Sequence, residues 1–103
     1  MLEYGAERVA IVDFDEENWR RFVPHWAPGL SRKGPGLFER SGNPLRCSEL
    51  EQFVLDGADG RRSIAEIIEV PALGDIPADE RDEFARRYFE HLWRLGHVMI
   101  ELA

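Results

Sequence analysis

This chain has very little cysteine and no long apolar segment. Its single cysteine, Cys47, excludes a disulfide within the chain and is typical of a reducing compartment, so we expect a cytoplasmic protein. The longest apolar run has four residues, Val9 to Val12, far fewer than a membrane-spanning helix needs. The N-terminus also lacks the basic-then-apolar pattern of a secretory signal. We therefore expect no membrane association.

Basic residues are scarce relative to acidic ones. The chain has 13 lysines and arginines against 20 aspartates and glutamates, a net charge of −7, and residues 49–83 carry most of the excess. Nucleic-acid binding needs a basic face, because phosphate contacts supply most of its affinity. We therefore expect no nucleic-acid partner. The acidic excess is typical either of a solvated surface or of a surface that binds a basic partner.

Motifs for catalysis and for metal or cofactor binding are also lacking. Gly34-Pro35-Gly36 has neither the lysine nor the following helix of a phosphate-binding loop. His91 and His97 lie six residues apart, on different faces of a helix and without the spacing of metal ligands. We expect no metal, no cofactor and no enzyme activity of the chain alone. A small enzyme or redox protein that uses Cys47 and a histidine remains an alternative, because the thiol precedes a helix start.

The composition predicts one folded domain, residues 1–103. Hydrophobic residues make up 44% of the chain and charged residues 32%, as in ordinary globular domains. For the N-terminal extension, residues 1–36, we predict a strand over Arg8–Phe14, a brief helix that ends near Phe22, and a loop over residues 24–36. Asp13 or Asp15 is expected to cap the brief helix.

The clearest pattern marks two helix starts that lie close together. Ser48-Glu49-Leu50-Glu51 and Ser63-Ile64-Ala65-Glu66 both have the capping-box form. In this form the serine side chain accepts from the third helical N–H, and the glutamate accepts from the serine N–H. We predict that Gly57 ends the first helix in a left-handed conformation and that Asp59-Gly60 forms a second turn. The predicted helices cover residues 48–56 and 63–69.

Short strands and a third helix complete the predicted fold. A hairpin is predicted over Leu37–Arg40 and Leu45–Cys47, a long helix from Pro77 to Gly96, and a final strand over Val98–Leu102. The apolar helix positions predicted to be buried are Leu50, Phe53, Val54, Ile64, Ile67, Ile68, Phe84, Ala85, Tyr88, Phe89, Leu92 and Leu95. This order predicts an α+β, winged-helix-like fold with a small antiparallel sheet, three helices and a short N-terminal helix.

These residues resemble a known family. Residues 59–67, Asp-Gly-Arg-Arg-Ser-Ile-Ala-Glu-Ile, and residues 89–98, Phe-Glu-His-Leu-Trp-Arg-Leu-Gly-His-Val, resemble the PqqD-like family, and the resemblance covers roughly residues 45–102. Members of this family bind ribosomally made precursor peptides as chaperones or recognition elements. The resemblance implies a non-catalytic accessory subunit that presents the leader of a precursor peptide to a separate modifying enzyme. We expect that enzyme to be of the metal-dependent oxidative or radical type and to form a heterodimer with the subunit.

The resemblance also implies where the peptide binds. In the family, the leader is added as a strand at a sheet edge, against the third helix. Trp93 lies off the main apolar stripe, so it is either a partly exposed anchor for a peptide side chain or packs on the final strand or the N-terminal helix. Carried over to this chain, the peptide-binding residues are Phe38, Arg40, Leu45, Arg46, Cys47, Arg86, Phe89, Glu90 and Trp93.

The N-terminal extension departs from the family, which has short connections where this chain inserts a helix and a loop. Trp19, Phe22 and Trp26 in this insertion are either a docking surface for the partner enzyme or a cover for a thin core. A winged-helix transcriptional regulator is the alternative function. Against it, Glu66 and Glu69 offset the basic residues of the second predicted helix and its preceding turn.

Overall fold

The computed structural model describes residues 12–15, 17–70 and 73–101, which form an α+β globule. The predicted strand over Arg8–Phe14 falls largely outside these residues. Val12 and Asp13 lie outside any strand, and Phe14 and Asp15 form a turn, in which the Asp15 N–H donates to the Asp13 carboxylate. The described elements are a 3-10 turn at Glu17–Arg21, β1 at Val23–Trp26, β2 at Ser31–Gly34, β3 at Leu37–Arg40, β4 at Asn43–Arg46, α1 at Glu49–Asp56, α2 at Ile64–Ile68, α3 at Ala78–Arg94 and β5 at Val98–Glu101.

The strands form two small antiparallel sheets. The first pairs β1 with β5, and the second has the order β2-β3-β4. The loop predicted over residues 24–36 is therefore wrong, because this segment contains most of β1 and all of β2. β1 is ordered by distant partners, since it pairs with β5 on one side and its Pro24 carbonyl accepts from Gly60 N–H on the other. The predicted hairpin is confirmed as β3 and β4, but its second strand is Asn43–Arg46 and not Leu45–Cys47, because the turn has two residues and not four.

The helix starts were predicted correctly, but one helix end was not. Both capping boxes are present, with Ser48 and Ser63 as the N-caps of α1 and α2. Gly57 has a φ of −76° instead of a left-handed conformation. A Cβ atom at this position would lie 2.7 Å from the Ile67 side chain, so glycine here permits α1 and α2 to pack closely. The left-handed residue of this connection is Gly60, with a φ of +79°.

The core lies between the helices and both sheets. Ala85, Tyr88, Phe89 and Leu92 of α3 are buried as predicted. Two predicted core residues are exposed, Phe53 at 38% and Leu95 at 52%, and two more, Leu50 and Phe84, are only half-buried. On α1 the buried residues are Val54 and Leu55, and the Trp26 indole N–H donates to the Leu55 carbonyl. None of the described helices is long and apolar enough to cross a membrane.

Candidate functional site

The open edge of β4 offers main-chain hydrogen-bonding groups. Ser41 and Gly42, both with positive φ, form the two-residue turn between β3 and β4, as in a type I′ hairpin. In such a hairpin the residues that flank the turn are hydrogen-bonded, and the pattern alternates along the strand. The main-chain N–H and C=O groups therefore point towards β3 at Asn43, Leu45 and Cys47. The Cys47 N–H donates to the Gly36 carbonyl at 2.8 Å.

At the intervening residues, Pro44 and Arg46, the main-chain groups point away from β3. β4 is an edge of its sheet within the part of the chain that the structure describes. Pro44 has no N–H and contributes a carbonyl alone. Arg46 is exposed, and by the alternation of the ladder its N–H and its carbonyl both point away from β3. Arg46 is therefore the point at which an added strand can form a pair of main-chain hydrogen bonds.

A groove of about 540 Å³ lies between α1 and α3. Its apolar wall is formed by Phe84 and Tyr88, whose rings stack at 5.7 Å with an interplanar angle of 11°. These two residues are one helical turn apart on α3 and therefore share a face. The lining residues are Glu51 of α1 and Glu80, Glu83, Phe84, Arg87, Tyr88 and His91 of α3.

A polar contact connects the β4 edge to this groove. The Cys47 Sγ atom, directly after β4, lies 3.2 Å from the Tyr88 hydroxyl. Burial raises the pKa of the Cys47 thiol and also raises the pKa of Tyr88. Both groups are therefore protonated at neutral pH. A neutral thiol in contact with a tyrosine hydroxyl is not an activated nucleophile, so this geometry favours a structural role for Cys47.

The predicted binding residues of the hairpin have four different surroundings. Phe38 is fully buried, and Leu45 packs against the core. The Arg40 guanidinium lies against the turn after α3, where a Cβ atom on Gly96 would be 3.6 Å from it. Arg46 is the predicted binding residue whose side chain is exposed on β4. Cys47 is half-buried and makes the contact with Tyr88.

The predicted binding residues of α3 do not line the groove. Phe89 is fully buried. Arg86 pairs with Asp15 at 3.5 Å, and Glu90 pairs with Arg94 at 3.1 Å. The Trp93 ring lies 6.0 Å from the ring of Phe14, so Trp93 packs against the N-terminal segment. This contact favours the packing interpretation of Trp93 over the peptide anchor.

The sequence interpretation missed the groove face of α3. Phe84, Arg87, Tyr88 and His91 lie at helical spacing along one side of α3 and line the groove together. Phe84 and Tyr88 were assigned to the core because the apolar stripe of α3 is broad. Phe84 is half-buried, and no local sequence pattern encodes that degree of burial. The i, i+3, i+4 and i+7 spacing of the four residues was the available signal.

The three aromatic residues of the insertion are part of the core boundary. Phe22 and Trp19 are buried, and the Phe22 ring packs edge-on against Phe14 at 5.2 Å. Trp26 is half-buried, and its indole N–H donates to the Leu55 carbonyl at 2.8 Å. These contacts favour the interpretation that the rings cover a thin core over the interpretation that they form a docking surface.

Comparison with known proteins adds no relative. No model of a known protein family matches the chain, and no curated protein matches it. The PqqD-like resemblance therefore rests on the residues quoted above. Within the described residues, no group of three histidine, cysteine or carboxylate side chains is placed to hold a metal ion.

Proposed function

We propose that this chain is a non-catalytic binding module that takes up an extended peptide segment as an additional strand on β4. The observation that carries the proposal is the connection of an open strand edge to an apolar groove through the contact between Cys47 and Tyr88. In strand addition, main-chain hydrogen bonds supply affinity and side-chain pockets supply sequence preference. In this proposal, β4 supplies the main-chain hydrogen bonds and the groove between α1 and α3 supplies the side-chain pocket.

The other edge of the three-stranded sheet, β2, is less suited to pairing with an added strand. β2 has a register irregularity between Arg32 and Gly34, and bulges and charged side chains protect edges from pairing. Arg32 is also engaged, because its guanidinium lies over the Phe38 ring at 5.0 Å and pairs with Asp56. β4 also carries an edge proline, Pro44, but the Arg46 N–H and carbonyl still point outward, so we favour β4 over β2.

The PqqD-like resemblance supports a specific form of this function. By that resemblance, the domain is winged-helix-like, and the peptide is the leader of a ribosomally made precursor. The module then presents the leader to a separate modifying enzyme, of the metal-dependent oxidative or radical type, as its heterodimer partner. The alternative of a transcriptional regulator gains no support, because α2 and its C-terminal boundary expose Glu66 and Glu69, which repel phosphate.

The proposal is tested by replacing Arg46. Ten-residue random peptides displayed on a library are selected on the immobilised protein, and affinities of enriched peptides are measured by fluorescence anisotropy. We expect Arg46→Pro to weaken binding by about tenfold or more, because the outward N–H is lost and its peptide partner carbonyl is left without a donor. No hydrogen bond within the β3–β4 ladder is lost, since this N–H points away from β3.

Arg46→Ala is the matched control, because it removes the same side chain and keeps the N–H. We expect it to bind the peptides within about threefold of the wild type. Thermal unfolding of both variants identifies any loss of folding. Equal affinity of Arg46→Pro and Arg46→Ala would contradict strand addition at β4. Absence of peptides enriched above an unrelated domain of the same size would contradict peptide binding itself.

A further inference from the structure

The groove between α1 and α3 combines an apolar wall with an acidic rim. The wall consists of the stacked Phe84 and Tyr88 rings. The rim carries three carboxylates, those of Glu51, Glu80 and Glu83, whereas its one arginine is Arg87. A ligand that fits this groove therefore needs an apolar group against the rings and a positive charge near the carboxylates.

The cationic group of the rim is already engaged by an acidic one. The Arg87 Nε atom lies 2.5 Å from a Glu83 oxygen, and Arg86 binds the same carboxylate at 3.0 Å. These arginines lower the pKa of Glu83, so it is ionised at neutral pH. Glu80, in contrast, pairs with no cation among the described residues. An incoming basic side chain therefore meets Glu80 without first breaking an ion pair.

Part of the acidic rim also serves the two helices. The Glu51 carboxylate accepts from the Ser48 N–H in the capping box of α1, and Glu80 lies in the first turn of α3, where the helix dipole favours an acid. Glu83 lies beyond the first turn, where this effect has fallen off. The charges of Glu51 and Glu80 therefore act on an occupant of the groove, whereas the charge of Glu83 is offset by Arg86 and Arg87.

We propose that the peptide taken up at β4 is both apolar and basic. This proposal rests on the function proposed above. One aliphatic or aromatic side chain packs against the Phe84 and Tyr88 rings, and lysine or arginine at a neighbouring position faces Glu80 and Glu51. The charge complementarity of the rim selects this segment over an acidic one. The net charge of −7 adds a long-range attraction for a basic peptide.

The test uses the composition of the selected peptides. In the random ten-residue library, we expect peptides enriched on the wild-type protein to carry more large apolar residues and more lysine and arginine than the unselected library. Glu80→Lys is expected to weaken binding of the most enriched basic peptide by about fivefold at low salt, since one attraction becomes a repulsion. Glu101→Lys, on β5 and outside the groove lining, makes the same change in net charge and is expected to weaken binding less than twofold.

The outcomes separate this inference from the proposed function. Enriched peptides that are neutral or acidic would overturn the inference and leave peptide binding at β4 standing. An equal loss with Glu80→Lys and Glu101→Lys would overturn it as well, because the preference would then reflect net charge and not the groove. Failure to enrich any peptide would overturn both the inference and the proposed function. Enriched peptides that are basic, and that bind more weakly to Glu80→Lys but not to Glu101→Lys, support the inference.

Discussion

At the scale of single residues, several residues have structural roles that their sequence context does not predict. Gly57 permits close packing against Ile67 instead of a left-handed turn. Arg40 lies at the C-terminal end of α3, where the helix dipole favours a cation. His97, between α3 and β5, is buried, and its Nδ1 atom has no hydrogen-bond partner among the described residues. Such a histidine makes stability depend on pH.

The pH dependence follows from the pKa of His97. Burial lowers this pKa, and the nearby Arg40 and His91 lower it further. Below about pH 6.5, the ordinary histidine value, the unfolded chain takes up a proton that the folded chain resists. The free energy of unfolding should therefore fall as the pH decreases from 6.5 towards the lowered folded-state pKa, and this contribution is fully present above pH 6.5.

Urea unfolding at pH 7.5 and pH 5.5 checks this prediction. We expect His97→Leu to lose less stability than the wild type between these two values, because leucine takes up no proton. The lowered pKa values of Asp59 and Glu83 act in a separate window, below about pH 4.5. Equal losses for the two proteins would show that His97 does not contribute.

At the scale of secondary-structure elements, local signals predicted the helices, the β3–β4 hairpin and β5, but they did not predict β1 and β2. Capping boxes are set by residues three positions apart, so the starts of α1 and α2 could be predicted directly. β1 could not, because its order comes from pairing with β5, about 75 residues later in the chain. The groove-lining side of α3 was not predicted, for a related reason. Its apolar stripe is broad, and the sequence does not tell which side faces Phe14 and which side faces the groove.

The short helix α2 depends strongly on its cap. It has five residues, and helices of this length are not stable by themselves. Ser63 accepts from the Glu66 N–H at 3.2 Å, and Glu66 accepts from the Ser63 N–H at 2.8 Å. We expect Ser63→Ala to lower the free energy of unfolding by about 1 kcal/mol. Thermal denaturation should then show a midpoint lower by about 4–8 °C.

Ser31→Ala is the matched control for this change. Ser31 is an exposed residue of β2 and caps no helix, so its replacement is expected to change stability by less than about 0.5 kcal/mol. A destabilisation of the same size in both variants would contradict the role given to the cap. Loss of far-UV helical signal in Ser63→Ala alone would agree with it.

At the scale of the whole molecule, the arrangement of sheets and helices matters more than any one side chain. Within the described residues, β4 is an open edge of the β2-β3-β4 sheet. The Cys47 Sγ atom, directly after β4, contacts the hydroxyl of Tyr88, which lines the groove between α1 and α3. A small domain of this kind needs no catalytic group to contribute to a reaction. In the function proposed above, the domain binds a peptide segment in extended form and thereby raises the local concentration of the substrate at a partner enzyme.

Hydrogen exchange of the Arg46 amide is the measurement that tests strand addition on β4 most directly. In the free protein this N–H faces solvent and should exchange fast. On addition of a saturating enriched peptide, we predict that its exchange slows by about tenfold or more, while the amides of Asn43 and Leu45, already bonded to β3, change little. An unchanged Arg46 amide, with new protection confined to β2 or β5, would contradict the account.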